Sequence, residues 1–254
     1  MGRMQGPIFL QAALNGDRIH PRAPRTPTAI AEAARAAVDA GAHSVHVHAF
    51  DAAGRETLEG GACAGVLRAV RARCPGIPIS LTTSATIVAD PAERLRLVEA
   101  WEEMPELVTA NQGEPGIREL CEFFLARGVG IEAGLLSSGD ARAFVRSGLA
   151  GRCTRVLIEP LDADSGTAVR HAAEMEEIVA AAGIRLQQVH HGYGMACWDV
   201  NRRALDRGHG IRTGLEDVTR LPDGTEAADN ADLVRAAARL IHRHARSGSH
   251  RGPS

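Results

Sequence analysis

The 254-residue sequence predicts a single-domain (β/α)8 barrel spanning the whole chain. Three observations predict it. Short apolar runs alternate with helix-length segments eight times without a break, which implies a parallel sheet. No linker or shift in composition divides the chain. Polar clusters follow the apolar runs, where the carboxyl ends of barrel strands carry active sites. A doubly wound sheet is the rival, but no dinucleotide fingerprint follows the first strand.

The first strand reads as Ile8 to Leu14, with Asn15-Gly16-Asp17 as its exit turn. Residues 1–6 read as a frayed start. Thr26-Pro27 opens a helix, a hydroxyl cap followed by proline in the first turn, and Gly41 stops it. The second strand is Ser44 to His48. A helix over 60–73 leads to a strand at Ile77 to Leu81, which ends in Thr82-Thr83-Ser84. Asp90-Pro91 caps the next helix, to near Trp101. The fourth strand, Glu106 to Thr109, closes in Ala110-Asn111-Gln112-Gly113. A helix from Pro115 to Arg127 precedes the fifth strand, Gly130 to Ala133, and Ser138-Gly139-Asp140 opens another helix. The sixth strand is Thr154 to Ile158, followed by a helix from Thr167 to Ala182. The seventh, Arg185 to Val189, exits into His190-His191-Gly192-Tyr193-Gly194. A helix near Asp199 to Arg207 leads to the eighth strand, Gly210 to Thr213. The last helix begins near Asn230, with Leu233, Ala237, Leu240 and Ile241 as its apolar stripe. Residues 247–254 are polar and read as a disordered tail.

Composition narrows the function. Hydrophobic residues at 44% suffice for a core, while aromatics at 3% argue against base-stacking platforms. A net charge of −2 gives no general attraction to nucleic acid or anionic membranes. No apolar run approaches the roughly 20 residues that span a bilayer. Five scattered cysteines, no CxxC and no secretory signal point to a reduced, cytoplasmic protein. All 29 basic residues are arginine. Without lysine there is no amine for a Schiff base, so pyridoxal-phosphate and class I aldolase chemistry are excluded. Carbon–carbon bond chemistry here would need a metal to stabilise the enolate.

His46 and His48 sit two apart on a strand and so present two imidazoles on one face. Two such histidines and a carboxylate can grip a divalent ion and leave positions open for substrate. Glu216, just past the eighth strand, is the candidate third ligand. Glu216 and Asp217 are adjacent and would face opposite ways on a strand, which predicts an irregular turn. Thr82, Thr83 and Ser84 are candidate donors to a substrate carboxylate. Glu132, an acid within an apolar strand, needs a partner and is read as a substrate contact or a support behind one.

Several stretches occur in the order Ala12-Ala13-Leu14-Asn15-Gly16, Ala40-Gly41-Ala42, His46-Val47-His48, Gly210 to Asp217 and Asn230-Ala231-Asp232-Leu233-Val234. Together they resemble the β-keto acid cleavage enzymes over nearly the whole chain. The resemblance implies a zinc-dependent barrel that reacts a β-keto acid with acetyl-CoA, giving acetoacetate and a new acyl-CoA. It implies His46, His48 and Glu216 as zinc ligands and Arg212 with Asp217 as the pair that deprotonates the keto acid. Thr109 and Asn111 resemble the family's polar substrate contacts, and a homotetramer is implied. Another divalent metal would suit the same ligands. Two departures stand out: Phe50 replaces the arginine of the usual HxHxR, and Ser84 stands where a glycine often follows the threonines. Arg18, near an acidic family position, would disfavour a cationic substrate. His190, His191 and Tyr193 are read either as CoA contacts or as a flexible lip. A metal-dependent hydrolase, a class II aldolase-like lyase, and a barrel that keeps the metal site without turnover remain the alternatives.

Overall fold

In the computed structural model, residues 7–17 and 20–248 are described. Four helix starts follow their capping chemistry. Thr26 Oγ1 accepts from the Ala29 N–H, Asp90 from Glu93, Ser137 from Asp140 and Asp164 from Thr167. Each such cap satisfies an otherwise orphaned amide and is worth about 1 kcal/mol.

The strands are β1 (Leu10–Ala13), β2 (Ser44–Val47), β3 (Ile79–Thr82), β4 (Leu107–Asn111), β5 (Gly130–Leu135), β6 (Arg155–Ile158), β7 (Gln187–His190) and β8 (Gly210–Thr213). They pair in chain order, all parallel, and β1 closes on β8. The helices are α1 (Pro27–Asp39), α2 (Gly60–Arg73), α3 (Pro91–Glu99), α4 (Ile117–Ala126), α5 (Ser138–Ser147), α6 (Ser165–Ala181), α7 (Ala196–Asp206) and α8 (Asn230–Gly248). The expected single-domain (β/α)8 barrel is therefore the fold.

Alternation along the strands sorts the side chains. On most strands, with β7 and its outward-facing Gln188 and His190 the exception, one face is apolar, as with Val45 and Val47, Ile79 and Leu81, or Ile131 and Ala133. The other faces the barrel axis and is unusually polar. Gln11 of β1 donates to Glu132 of β5 across the lumen at 2.9 Å, so these two strands on opposite sides share a buried bond.

Boundaries differ from expectation by a few residues, with local causes. β2 stops at Val47 because the Asn15 amide takes over the ladder: His48 N–H donates to Asn15 Oδ1, and Asn15 Nδ2 donates to the His48 carbonyl. α7 begins at Ala196 rather than Asp199, and a short 3-10 turn, Ala150–Arg152, precedes β6 without having been expected. α8 carries on through Ser247 to Gly248, where the disordered tail was expected to have begun. The remaining tail residues, the frayed start over 1–6 and Arg18 lie outside the described residues. Among the described residues no helix is long and apolar enough to cross a membrane.

Candidate active site

His46 and His48 reach the same point from the exit of β2. Their Nε2 atoms stand 3.2 Å apart and the rings are nearly perpendicular, at 82°. Each ring is held from behind by its other nitrogen. His46 Nδ1 meets Ser80 Oγ at 3.1 Å, and Ser80 donates to Glu132. His48 Nδ1 meets Glu56 directly, at 2.5 Å. Such partners fix the ring orientation and leave Nε2 to a ligand.

Glu216 arrives from the other end of the chain. Past β8 the backbone turns tightly, with the Asp217 and Val218 amides both donating to the Gly214 carbonyl. This is the irregular turn expected from the adjacency of Glu216 and Asp217, and both side chains reach the barrel mouth. Two glycines permit it. A Cβ on Gly214 would sit 1.9 Å from the Ala13 carbonyl oxygen, and one on Gly16 would sit 2.6 Å from Glu216 Cγ. Asn230 stitches the same seam, accepting from the Leu215 amide and donating to the Leu14 carbonyl. As a result Glu216 lies 3.6 Å from His46 Nε2 through one oxygen and 3.6 Å from His48 Nε2 through the other.

Arg212, fully buried, grips both acids. It donates to Asp217 through Nε at 3.2 Å and Nη2 at 2.8 Å, and to Glu216 at 2.6 Å. This two-point contact is the fork geometry of guanidinium with carboxylate.

The charge states follow from these contacts. Burial, reinforced by Arg212 and His48, outweighs Glu216 and brings His46 down to about 3, so it is neutral. Burial acts the same way on His48, but Glu216 and Glu56 reverse it and raise the imidazole to about 9. Burial favours a protonated Glu216; Arg212 and the two imidazoles overcome this and hold it well below the carboxylate range. Asp217 is likewise kept ionised, against burial, by Arg212 and His191.

These groups line a cavity of about 250 Å³ together with Asp17, Thr82, Ser84, Thr109, Asn111, Glu159 and Tyr193. Leu136 and Leu161 add an apolar portion to its wall. Of the expected substrate contacts, Thr82, Ser84, Thr109 and Asn111 therefore face the cavity. Thr83 and Glu132 do not: Thr83 is corrected as a substrate contact, and Glu132 takes the second of its two expected places, behind the contacts instead of among them. Thr83 turns its hydroxyl back onto the Thr109 carbonyl at 2.7 Å. Glu132 is wholly buried beneath the site among Gln11, Ser80, Thr109 and Arg155, where it supports the His46 side of the cluster. Phe50 is buried, with the Arg25 guanidinium 4.8 Å from its ring centre.

His190 and His191 are buried and so do not form a flexible lip. His190 turns outward to stack on His209, while His191 turns inward between Asp217 and Glu159. Glu56, Ser80, Glu159 and the inward role of His191 were missed by sequence reasoning. Glu56 and Glu159 sit on irregular segments, where spacing carries no facing information. For His191, period-two alternation from Val189 was an available signal, since adjacent residues must face opposite ways.

A parallel barrel with two imidazoles and a carboxylate at the carboxyl ends of its strands defines a class of barrel with a candidate metal-binding active site. The sequence matches the family model described as beta-keto acid cleavage enzyme over residues 7–248, and the chain belongs to that family. It is 25% identical over 258 residues to a 3-keto-5-aminohexanoate cleavage enzyme of Fusobacterium nucleatum, covering 93% of this chain and 92% of that one. Among solved structures it resembles ObcA in a ternary complex with a C4-CoA adduct and oxalate, with a TM-score of 0.71 and 19% identity. That match covers 88% of this chain but spans only 64% of the ObcA chain. The 3-dehydroquinate dehydratase of Aquifex aeolicus shares the barrel alone, with a TM-score of 0.59 at 13% identity over 94% of this chain and 100% of that one.

Proposed function

We propose that the chain is a metal-dependent enzyme that converts a β-keto acid and acetyl-CoA to acetoacetate and a new acyl-CoA. The observation that carries this reading is the meeting of His46, His48 and Glu216 beside the Arg212–Asp217 pair in one cavity. The donor set, two neutral-capable imidazoles and an ionised carboxylate, suits zinc or another first-row divalent ion. A bound cation would act as a Lewis acid on the keto oxygen and make the α-carbon more acidic.

The protein's own groups do the rest. Asp217 accepts the α-proton. Its depressed pKa makes it a weak base, so it depends on an acidified substrate. Arg212 holds Asp217 in place through its fork. Thr82 and the second Asn111 Nδ2 proton offer donors to the substrate carboxylate, while Ser84 and Thr109, whose hydroxyls donate to Glu114 and Glu132, complete the polar wall. Asn111 Nδ2 and Ser84 are themselves oriented by Glu114, which the buried Arg94 holds at 3.0 Å. The substrate carbanion attacks the acetyl thioester and expels the CoA thiolate. The thiolate then attacks the original keto carbon, the bond to the α-carbon breaks, and the α-carbon takes back the proton held by Asp217 to give acetoacetate. Atoms balance, and no oxidant is needed. The family resemblance supports a homotetramer, and the five buried thiols suit a reducing cytoplasm.

The test is elemental analysis, then incubation with acetyl-CoA and a panel of β-keto acids. Acetoacetate formed together with a matching acyl-CoA is the expected outcome. Cleavage that proceeds without acetyl-CoA would replace this reading with a lyase or hydrolase. Bound metal with no product across the panel would leave a non-catalytic barrel.

A further inference from the structure

One buried titratable group at the barrel mouth has no part in the chemistry above. His191, just past β7, has no solvent exposure. Its Nδ1 lies 3.3 Å from Asp217 Oδ1, and its Nε2 lies 3.3 Å from Glu159 Oε2. The backbones around it are tied down. The His191 amide donates to the Ile158 carbonyl, the Glu159 amide to Leu135, and the Gly194 amide to the Asp217 carbonyl. The segment carrying His191 and the turn carrying Asp217 are thus joined at both backbone and side chain.

The arrangement answers a need. Arg212 lies in the same terminal segment as Asp217 and fixes the plane of its carboxylate. A contact from a different strand is required to fix where that plane stands relative to the cavity. His191 supplies it, reaching the Oδ1 atom that also accepts from Arg212 Nη2. A buried imidazole between two carboxylates is favoured as the cation: burial and Arg212 lower its pKa, while Glu159 and Asp217 more than reverse this and raise it to about 9. Glu159 lines the cavity and is anchored through its own amide on the Leu135 carbonyl, so it seats the far side of the ring.

We propose that His191, seated by Glu159, is a positioning residue that holds the Asp217 carboxylate in its proton-accepting orientation. This rests on the reading of Asp217 as the base. The test is exchange of the keto acid α-proton with deuterated water, followed by NMR without acetyl-CoA, on the metal-loaded protein. Alongside it, kcat and KM are measured in the full reaction, with thermal unfolding as the control. In His191→Leu, exchange and kcat fall roughly tenfold to a hundredfold, the effect of a misplaced reacting group, with KM changed less than about threefold. His191→Asn, which keeps an N–H near the Nδ1 position, recovers part of the loss. Glu159→Gln, with the ring left in place, gives a smaller loss of the same kind. Exchange and kcat within twofold of wild type in folded His191→Leu overturn the proposal; where that variant does not fold, the same result in folded Glu159→Gln does so. So does loss in all variants that merely tracks lowered unfolding temperature. Retention of metal-dependent exchange by Asp217→Asn instead overturns the base assignment itself, so the two failures are separable.

Discussion

Two groups of histidine and glutamate among the described residues stand close enough to gather round an ion, and they are built oppositely. At the barrel mouth, His46 and His48 cross at 82° and turn Nε2 toward a common point. Outside the sheet, His190 and His209 stack at 16° with their centres 4.7 Å apart. Imidazole lone pairs lie in the ring plane, so crossed rings can converge on one ion and stacked rings cannot. The carboxylates differ as well. Glu216 meets one guanidinium through one oxygen and turns the other toward His46. Glu176 has both oxygens on guanidinium groups, Arg203 at 2.6 Å and Arg207 at 3.0 Å, with His209 at 3.2 Å. Equal composition and equal proximity thus give a candidate site in one place and a filled ion-pair network in the other. What else touches the carboxylate decides between them.

The contrast can be broken most sharply by removing a ligand. His48→Ala is expected to take bound metal from about one ion per chain to near none, and turnover with it. Elemental analysis and the acetyl-CoA assay check this, and a variant that keeps its metal would erase the distinction. Asp217→Asn is expected to keep the metal and lose about 10²–10⁴-fold in turnover, separating the ion from the base beside it. At the other cluster, His190→Ala should leave metal content and turnover unchanged and cost about 2–4 kcal/mol of stability through the cavity it opens, read by denaturant unfolding.

The smallest effect concerns acid. Burial raises the pKa of Glu176, but Arg203, His209 and Arg207 together bring it down to about 2. A carboxyl whose folded pKa is depressed stabilises the fold above its unfolded value and loses that contribution as pH falls through the folded one. The stability gap between wild type and Glu176→Gln should therefore be full at pH 6, narrow below about 4.5 and close near pH 2. Paired unfolding curves at pH 6 and 3.5 measure the narrowing.

Legibility in the sequence followed the same divide. The barrel was readable because eight apolar runs alternate with capped helices, and caps such as Thr26-Pro27 and Asp90-Pro91 are local chemistry. His46, His48 and the turn after Thr213 were readable because spacing on a strand dictates facing. Glu132 was left open between a substrate contact and a support behind one because its partners, Gln11, Ser80 and Arg155, come from other strands and meet only when the barrel closes. Thr83 was misread because three consecutive hydroxyls cannot all face the cavity, and the spacing does not say which one turns away. Glu56 and Glu159 were invisible for the related reason that irregular backbone has no period.

The seam between β1 and β8 has a consequence for assembly. Gly16, Gly214 and Asn230 let the two ends of the chain touch, and only that contact carries Glu216 to the paired imidazoles. On the proposed metal reading, a nascent polypeptide that has formed β2 but not yet docked β8 would own two of the three ligands and would hold a cation weakly. Tight uptake of the ion would then mark the final stitch of folding, and a chelator-sensitive, loosely bound fraction would count the molecules still open.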